Sequence, residues 1–180
     1  MPEHTEVAQK NFDLSSQVRL IVCDVDGTLT DGRIYIAENG MEIKSFDARD
    51  GLAMNRLNKN GVRVALLSHS HAVSIIRRRA EILNLEFWYA GTEKKSILLE
   101  QWMHVLQLSA GEVLYLGDDL NDLDAMNLCH WKACPSDACP EVRNICNIQL
   151  RSRGGHGVFR EMAEKYFKSL LLKNNRPGNV

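Results

Sequence analysis

The chain has 180 residues, with 22 Lys and Arg against 23 Asp and Glu and a net charge of −1, a length that suits one domain with a substantial core. That balance leaves no basic footprint for nucleic acid, the apolar stretches are too short to span a bilayer, and the polar first twenty residues do not read as a secretory signal. Five cysteines without a C-x-x-C pair read as reduced thiols of a cytoplasmic protein rather than a disulfide framework or a zinc site.

Residues 1–17 read as a polar, loosely ordered lead-in, residues 18–173 as a single domain and 174–180 as a flexible C-terminal tail. Arg19–Asp24 is an apolar run with the character of a buried parallel strand. A hairpin is expected over about 33–46, where Arg33–Ile36 and Met41–Phe46 flank Glu38-Asn39-Gly40, because Asn-Gly between alternating residues is a strong hairpin signal. Leu52, Met54 and Leu57 predict a helix ending at Gly61. A strand over 62–68, a helix over 73–83, a strand over 86–90 and a helix over 95–106 follow. Next come a strand over 113–117 and a helix near 119–128. A short strand containing Ala133, a strand near 145–150 and a helix over 158–172 complete the pattern. Strands alternating with helices predict an α/β fold, a doubly wound, mostly parallel sheet with a protruding β-hairpin.

Asp24 and Asp26, followed by Gly27 and Thr28, end the first strand. Ligands bind at that edge of open α/β sheets. Two carboxylates so close repel unless a cation or a shared proton compensates, and a Mg²⁺ ion held by carboxylates and a substrate phosphate fits. The pattern points to metal-assisted phosphoryl transfer through an aspartyl-phosphate. Three later features support it: Ser68 ends an apolar run, Lys95 opens a helical pattern, and Gly117-Asp118-Asp119-Leu120-Asn121-Asp122 ends a third run. A general acid must carry a proton near neutral pH, which an ordinary Asp does not.

In this order (D-x-D-G-T, Ser, Lys, G-D-D-x-N-D) the chain resembles the haloacid dehalogenase superfamily of phosphatases, whose core is Rossmann-like. The resemblance implies that Asp24 is the nucleophile, and that Asp26 protonates the leaving oxygen and then activates water. Ser68 would bind the phosphoryl oxygens, and Lys95 would neutralise charge on them and on Asp24. Mg²⁺ would be held by Asp24, the Asp26 backbone carbonyl and Asp118. Asp119, Asn121 and Asp122 would stand behind them, holding water ligands or orienting Lys95. About forty residues separate Asp26 from Ser68, too few for an inserted cap domain, so the site should lie open and be covered by a partner subunit.

Asp31-Gly32 with the hairpin, Phe46-Asp47-Ala48-Arg49-Asp50-Gly51 and Gly154-Gly155-His156-Gly157-Val158-Phe159-Arg160-Glu161 narrow the resemblance. They are similar to the cap-less 3-deoxy-D-manno-octulosonate 8-phosphate phosphatase group, which serves lipopolysaccharide precursor synthesis. That likeness implies a Mg²⁺-dependent homotetramer, with hairpins at its centre and a C-terminal tail reaching a neighbour's site. It implies an Asp47–Gly51 loop on the substrate, with Asp47, Arg49, Asp50 and Gly51 as contacts and Arg79 facing the sugar acid. The glycines at 154–157 suit a hinge for a mobile tail. Two departures bear on specificity: His69-Ser70-His71 follow Ser68 where the family usually has Gly-Arg, and Asn55 stands where a basic residue is usual. A bidentate Arg is not replaced by His or Ser, so a nine-carbon ulosonate 9-phosphate or another small sugar phosphate competes as substrate. A non-catalytic oligomerisation module of the same fold is the remaining alternative, although such modules often lose an acid of the first motif and both are present here.

Overall fold

The computed structural model describes residues 13–172; the first twelve residues of the lead-in and the 174–180 tail lie outside them. Strand β1 (Leu20–Cys23) is followed by a hairpin of β2 (Tyr35–Ile36) and β3 (Glu42–Ile43). Helix α1 (Ala48–Lys59) leads to β4 (Arg63–Ser68), α2 (Val73–Leu83) to β5 (Phe87–Ala90), and α3 (Lys95–Leu106) to β6 (Val113–Leu116). Helix α4 (Leu123–Asn127) precedes β7 (Trp131–Cys134), and α5 (Pro140–Ile145) precedes β8 (Ile148–Gln149). Helices α6 (Val158–Tyr166) and α7 (Lys168–Leu172) close the described chain.

Among the described residues, six strands form one parallel sheet in the order β5-β4-β1-β6-β7-β8. Strand β1 lies inside it, and its residues alternate between two cores. Ile21 and Cys23 join Met54, Leu57, Ile76, Phe159 and Met162, whereas Leu20 and Val22 join Leu99, Tyr115, Met126 and Val142. Helices therefore cover both faces, and continuous apolar strands are what a sheet buried on both sides requires. The predicted doubly wound fold is the observed one. No inserted cap domain interrupts the described residues, since the hairpin and α1 fill the stretch between β1 and β4.

The hairpin turns where Asn39-Gly40 predicts. Gly40 has φ +80°, its N–H donates to Ala37 O at 2.8 Å, and Ala37 N–H donates to Met41 O at 2.8 Å, the geometry of a three-residue loop closed by a left-handed residue. Its apolar side chains face outward, with Ile36 71% and Met41 59% exposed.

Four boundaries differ from the sequence reading. Residues 13–17 are tied down rather than loose: Leu14 is fully buried and its N–H donates to Tyr166 O at 2.7 Å. Helix α1 starts at Ala48 because Asp47 caps it, its side chain accepting the Arg49 N–H at 2.7 Å. Helix α5, six residues long with proline at its start, is too short for a periodic signal and shortens the strand expected near 145–150. The expected helix 158–172 divides at Phe167, whose ring is fully buried. No helix among the described residues is long and apolar enough to cross a membrane, and all five cysteines are free thiols.

Candidate active site

Cys23 is in register with Leu66 of β4 and Leu116 of β6, so Asp24 and the ends of these two strands share one edge. The chain crosses from one half of the sheet to the other between β1 and β6, the switch point at which open α/β sheets leave a crevice. Asp24 is fixed there by its own N–H, which donates to Leu116 O at 2.9 Å. Residues Val25–Leu29 then make an irregular turn in which Gly27 adopts φ +94°, open to glycine without strain. A Cβ on Gly27 would overlap Asp118 Oδ2, so the glycine makes room for that carboxylate. Thr28 Oγ1 donates to Asp118 Oδ1 at 2.6 Å.

The glycines at 154–157 do not form a tail hinge. Gly155 N–H donates to Thr28 O at 2.9 Å, and Gly154 presses on the Gly27 carbonyl so closely that a Cβ there would overlap it. These glycines buttress the turn that carries the carboxylates.

Lys95, the first residue of α3, is buried, and its ammonium pairs with Asp24 Oδ1 and with Asp122 Oδ1, the latter at 2.7 Å. Asp122 is fully buried and both of its oxygens are engaged. Oδ1 also accepts the Tyr115 hydroxyl at 2.8 Å, and Oδ2 accepts the N–H groups of Asp118 at 3.0 Å and Asp119 at 3.3 Å. Burial, reinforced by Asp122, pushes the Asp24 carboxyl well above its usual range although Lys95 opposes the shift. Burial likewise raises Asp118 to about 6. Burial disfavours the Lys95 charge, but Asp24 and Asp122 outweigh it and raise the ammonium's pKa.

Ligand oxygens of Asp24, Asp118 and Asp122 lie within 4.8 Å of one another. Three carboxylates thus face one ammonium, an excess that a hard divalent cation with oxygen ligands relieves. With Asp122 fully hydrogen-bonded, Asp24 and Asp118 are the side chains left to hold such an ion.

Asp26 lies beside this cluster with its side chain 30% exposed. Ser68 Oγ donates to its Oδ2 at 3.3 Å, and the Lys44 ammonium pairs with its Oδ1. Asp24, Asp26, Ser68, Lys95, Asp118 and Asp122 are therefore brought together. Asp119 and Asn121 are exposed, and Asp119 caps its own turn through the Leu120 N–H at 2.8 Å instead of orienting Lys95.

The expected substrate loop at 47–51 needs correction. It is the cap and first turn of α1, and two of its members face inward. Asp50 is buried, accepts the Arg160 N–H at 2.7 Å at the start of α6, and is raised to about 6 mainly by burial. Gly51 is buried, and a Cβ there would meet Arg79 Nη2 at 2.8 Å. Arg79 lies over the Phe46 ring at 5.0 Å and donates to Asp47 O at 3.3 Å. Its guanidinium reaches a groove lined by Lys44, Phe46, Ser74, Ile75 and Arg78. Arg49 is exposed and folds back on Asp47 through Nη2–Oδ2 at 2.6 Å.

Lys44, Thr28 and Tyr115 carried no sequence assignment. Thr28 sits inside the quoted motif, and its hydroxyl was the available signal. Tyr115 was hidden in an apolar run, and Lys44 looked like an ordinary polar residue of a hairpin strand.

No protein-family model matches the chain. The 3-deoxy-D-manno-octulosonate 8-phosphate phosphatase KdsC of Haemophilus influenzae is 35% identical over 147 residues, 82% of this chain and 81% of that protein. The cobalt-bound structure of the phosphatase from that organism matches with a TM-score of 0.80 at 31% identity, over 89% of this chain and 95% of the other. A 3-deoxy-D-manno-octulosonate 8-phosphate phosphatase from Moraxella catarrhalis, in complex with magnesium, phosphate and KDO, matches with a TM-score of 0.78 at 30% identity, over 87% and 86% of the two chains. With a parallel sheet that gathers Asp24, Lys95 and Asp118 at its carboxyl edge, and with relatives this similar over most of their length, the chain belongs to the 3-deoxy-D-manno-octulosonate 8-phosphate phosphatase family of the haloacid dehalogenase superfamily.

Proposed function

We propose that this protein is a Mg²⁺-dependent phosphatase that hydrolyses 3-deoxy-D-manno-octulosonate 8-phosphate to the free sugar acid and phosphate, a step toward lipopolysaccharide. The observation that carries the reading is the buried Asp24 carboxylate, held by Lys95 beside Asp118 at the sheet edge, in a chain 30% identical to the relative that binds magnesium, phosphate and KDO.

Asp24 attacks phosphorus as the bond to the leaving sugar oxygen breaks, and Asp26 gives that oxygen its proton. In the second half Asp26 takes a proton from water as the water attacks the aspartyl-phosphate. Phosphate departs and Asp24 is regenerated. Lys95 and Ser68 present an ammonium and a hydroxyl to the phosphoryl oxygens, while Asp122 accepts from Lys95 and keeps it in place, itself held by three further donors. Asp24, Asp118 and the Asp26 carbonyl would hold Mg²⁺, which would supply positive charge where the anionic nucleophile and the phosphate meet.

Residues 18–173 act as one cap-less domain in the cytoplasm, and second copies of the chain cover the site. The exposed apolar side chains of Ile34, Tyr35, Ile36, Met41 and Ile43 on one hairpin support a homotetramer built on that hairpin. Asp47, Arg49 and Arg79 are the candidates for binding the sugar acid. His69 and His71, both exposed after Ser68, stand where the family usually has Gly-Arg, and the loss of that guanidinium leaves a nine-carbon ulosonate 9-phosphate as the second reading.

Phosphate release with Mg²⁺ across octulosonate 8-phosphate, nine-carbon ulosonate 9-phosphates and hexose phosphates tests the proposal. Highest kcat/KM for the octulosonate supports it. Preference for the nine-carbon ester moves the substrate while keeping the mechanism, and no release from any ester returns the chain to a binding module.

A further inference from the structure

Lys44 has no part in the reaction just described, yet its surroundings are unusual. It directly follows β3, its side chain is 1% exposed, and its ammonium meets Asp26 Oδ1. The lysine is thus more deeply buried than the acid it holds, since Asp26 keeps 30% of its side chain exposed toward the crevice. Burying a cation for stability alone is a poor device, because an apolar pair of similar volume usually does as well or better. A buried ammonium aimed at the one acid that must deliver a proton has a different use.

We propose that Lys44 is a positioning residue for Asp26, fixing the orientation of its carboxyl group toward the leaving oxygen; the inference rests on Asp26 serving as the general acid of the proposed phosphatase. The two oxygens of Asp26 are held differently. Oδ1 belongs to the Lys44 ammonium, and Oδ2 accepts only the longer Ser68 hydrogen bond of 3.3 Å. When Ser68 turns to a phosphoryl oxygen, Oδ2 is released while Oδ1 stays tied. Oδ2 is then the oxygen left to exchange a proton with the leaving oxygen, the proton passing over as the P–O bond breaks and being replaced from the attacking water. Neither transfer uses a proton from Lys44.

The test separates proton delivery from binding and from folding. Phenyl phosphate and p-nitrophenyl phosphate are nearly the same size and neither carries a carboxylate, but phenol is much the poorer leaving group and needs the proton more. Their kcat/KM values are measured with Mg²⁺ for wild type, Lys44→Met, Lys44→Arg and Asp26→Asn, with circular dichroism to verify folding. Lys44→Met is expected to lose on the order of tenfold more on phenyl phosphate than on p-nitrophenyl phosphate, part of the roughly 10²–10⁴-fold that a placed proton donor contributes. Lys44→Arg should recover much of that difference, and Asp26→Asn should show it at least as strongly. Equal losses on both esters, or none, overturn the assignment. Should Lys44→Met fail to fold, Lys44→Gln carries the same comparison. A wild type inactive toward these esters and toward sugar phosphates overturns the phosphatase reading itself, an outcome distinct from an active wild type with an indifferent Lys44.

Discussion

Replacing Gly27 with alanine tests how the carboxylate cluster is built. Two separate penalties are expected. The backbone at φ +94° is disfavoured for any residue with a Cβ, which costs about 1–2 kcal/mol. That corresponds to a fall of roughly 2–8 °C in Tm for a domain of this size. The second penalty falls on the site. The new methyl would overlap Asp118 Oδ2 and stand 2.8 Å from its Cγ, so the carboxylate must retreat by about 1 Å, a displacement on the scale that costs an active site roughly 10²-fold in rate. Gly61→Ala is the matched control, because φ there is +90° but nothing lies within 4 Å of the added Cβ. Both variants should melt early, and Gly27→Ala alone should lose activity and require more Mg²⁺ for half-maximal rate. Full activity of Gly27→Ala at the wild-type Mg²⁺ requirement would refute the packing argument.

Asp122→Asn should destabilise the fold by about 3–5 kcal/mol in urea denaturation, because an amide cannot accept all four donors and leaves the buried Lys95 short of a counter-charge. Tyr115→Phe, which deletes one of those donors, should cost only about 1 kcal/mol. Without metal, Asp118 and Asp50 both titrate near 6, against the usual 3.8. The folded chain therefore binds more protons than the unfolded one between these values, and stability falls as pH rises through that window. Melting in chelator should thus occur at lower temperature near pH 7 than near pH 5. Magnesium should restore the Asp118 share, and a metal-free Tm that climbs with pH across the window would contradict this. Ile36→Glu, at the most exposed apolar hairpin position, should shift the assembly toward monomer in light scattering; an unchanged mass would remove the hairpin from the interface.

The parts of the site legible in the sequence are those that depend on strand ends. Asp24, Ser68 and Gly117-Asp118 each follow an apolar run, and a parallel sheet in register brings such positions together. Lys95 was legible as the start of a helix after a strand. Side chains that reach the site from elsewhere were not. Lys44 belongs to a hairpin whose own alternation says nothing of a carboxylate eighteen residues earlier. The 154–157 glycines read locally as a hinge, and only the tertiary approach to the Gly27 carbonyl shows them to be a buttress. The Asp47–Gly51 loop follows only from the family resemblance, whereas the Asp47 cap and the Arg79 guanidinium packed against Gly51 set the conformation of these residues as the start of a helix.

The central claim is that Asp24 carries the phosphoryl group. Enzyme mixed with Mg²⁺ and octulosonate 8-phosphate, quenched in acid and reduced with borohydride, converts an aspartyl-phosphate to homoserine, which peptide mass spectrometry locates. Homoserine at position 24, absent without Mg²⁺ and absent from Asp24→Asn, is the predicted result. Turnover with homoserine at another position, or an Asp24→Asn variant that hydrolyses the ester at the wild-type rate, would contradict the account.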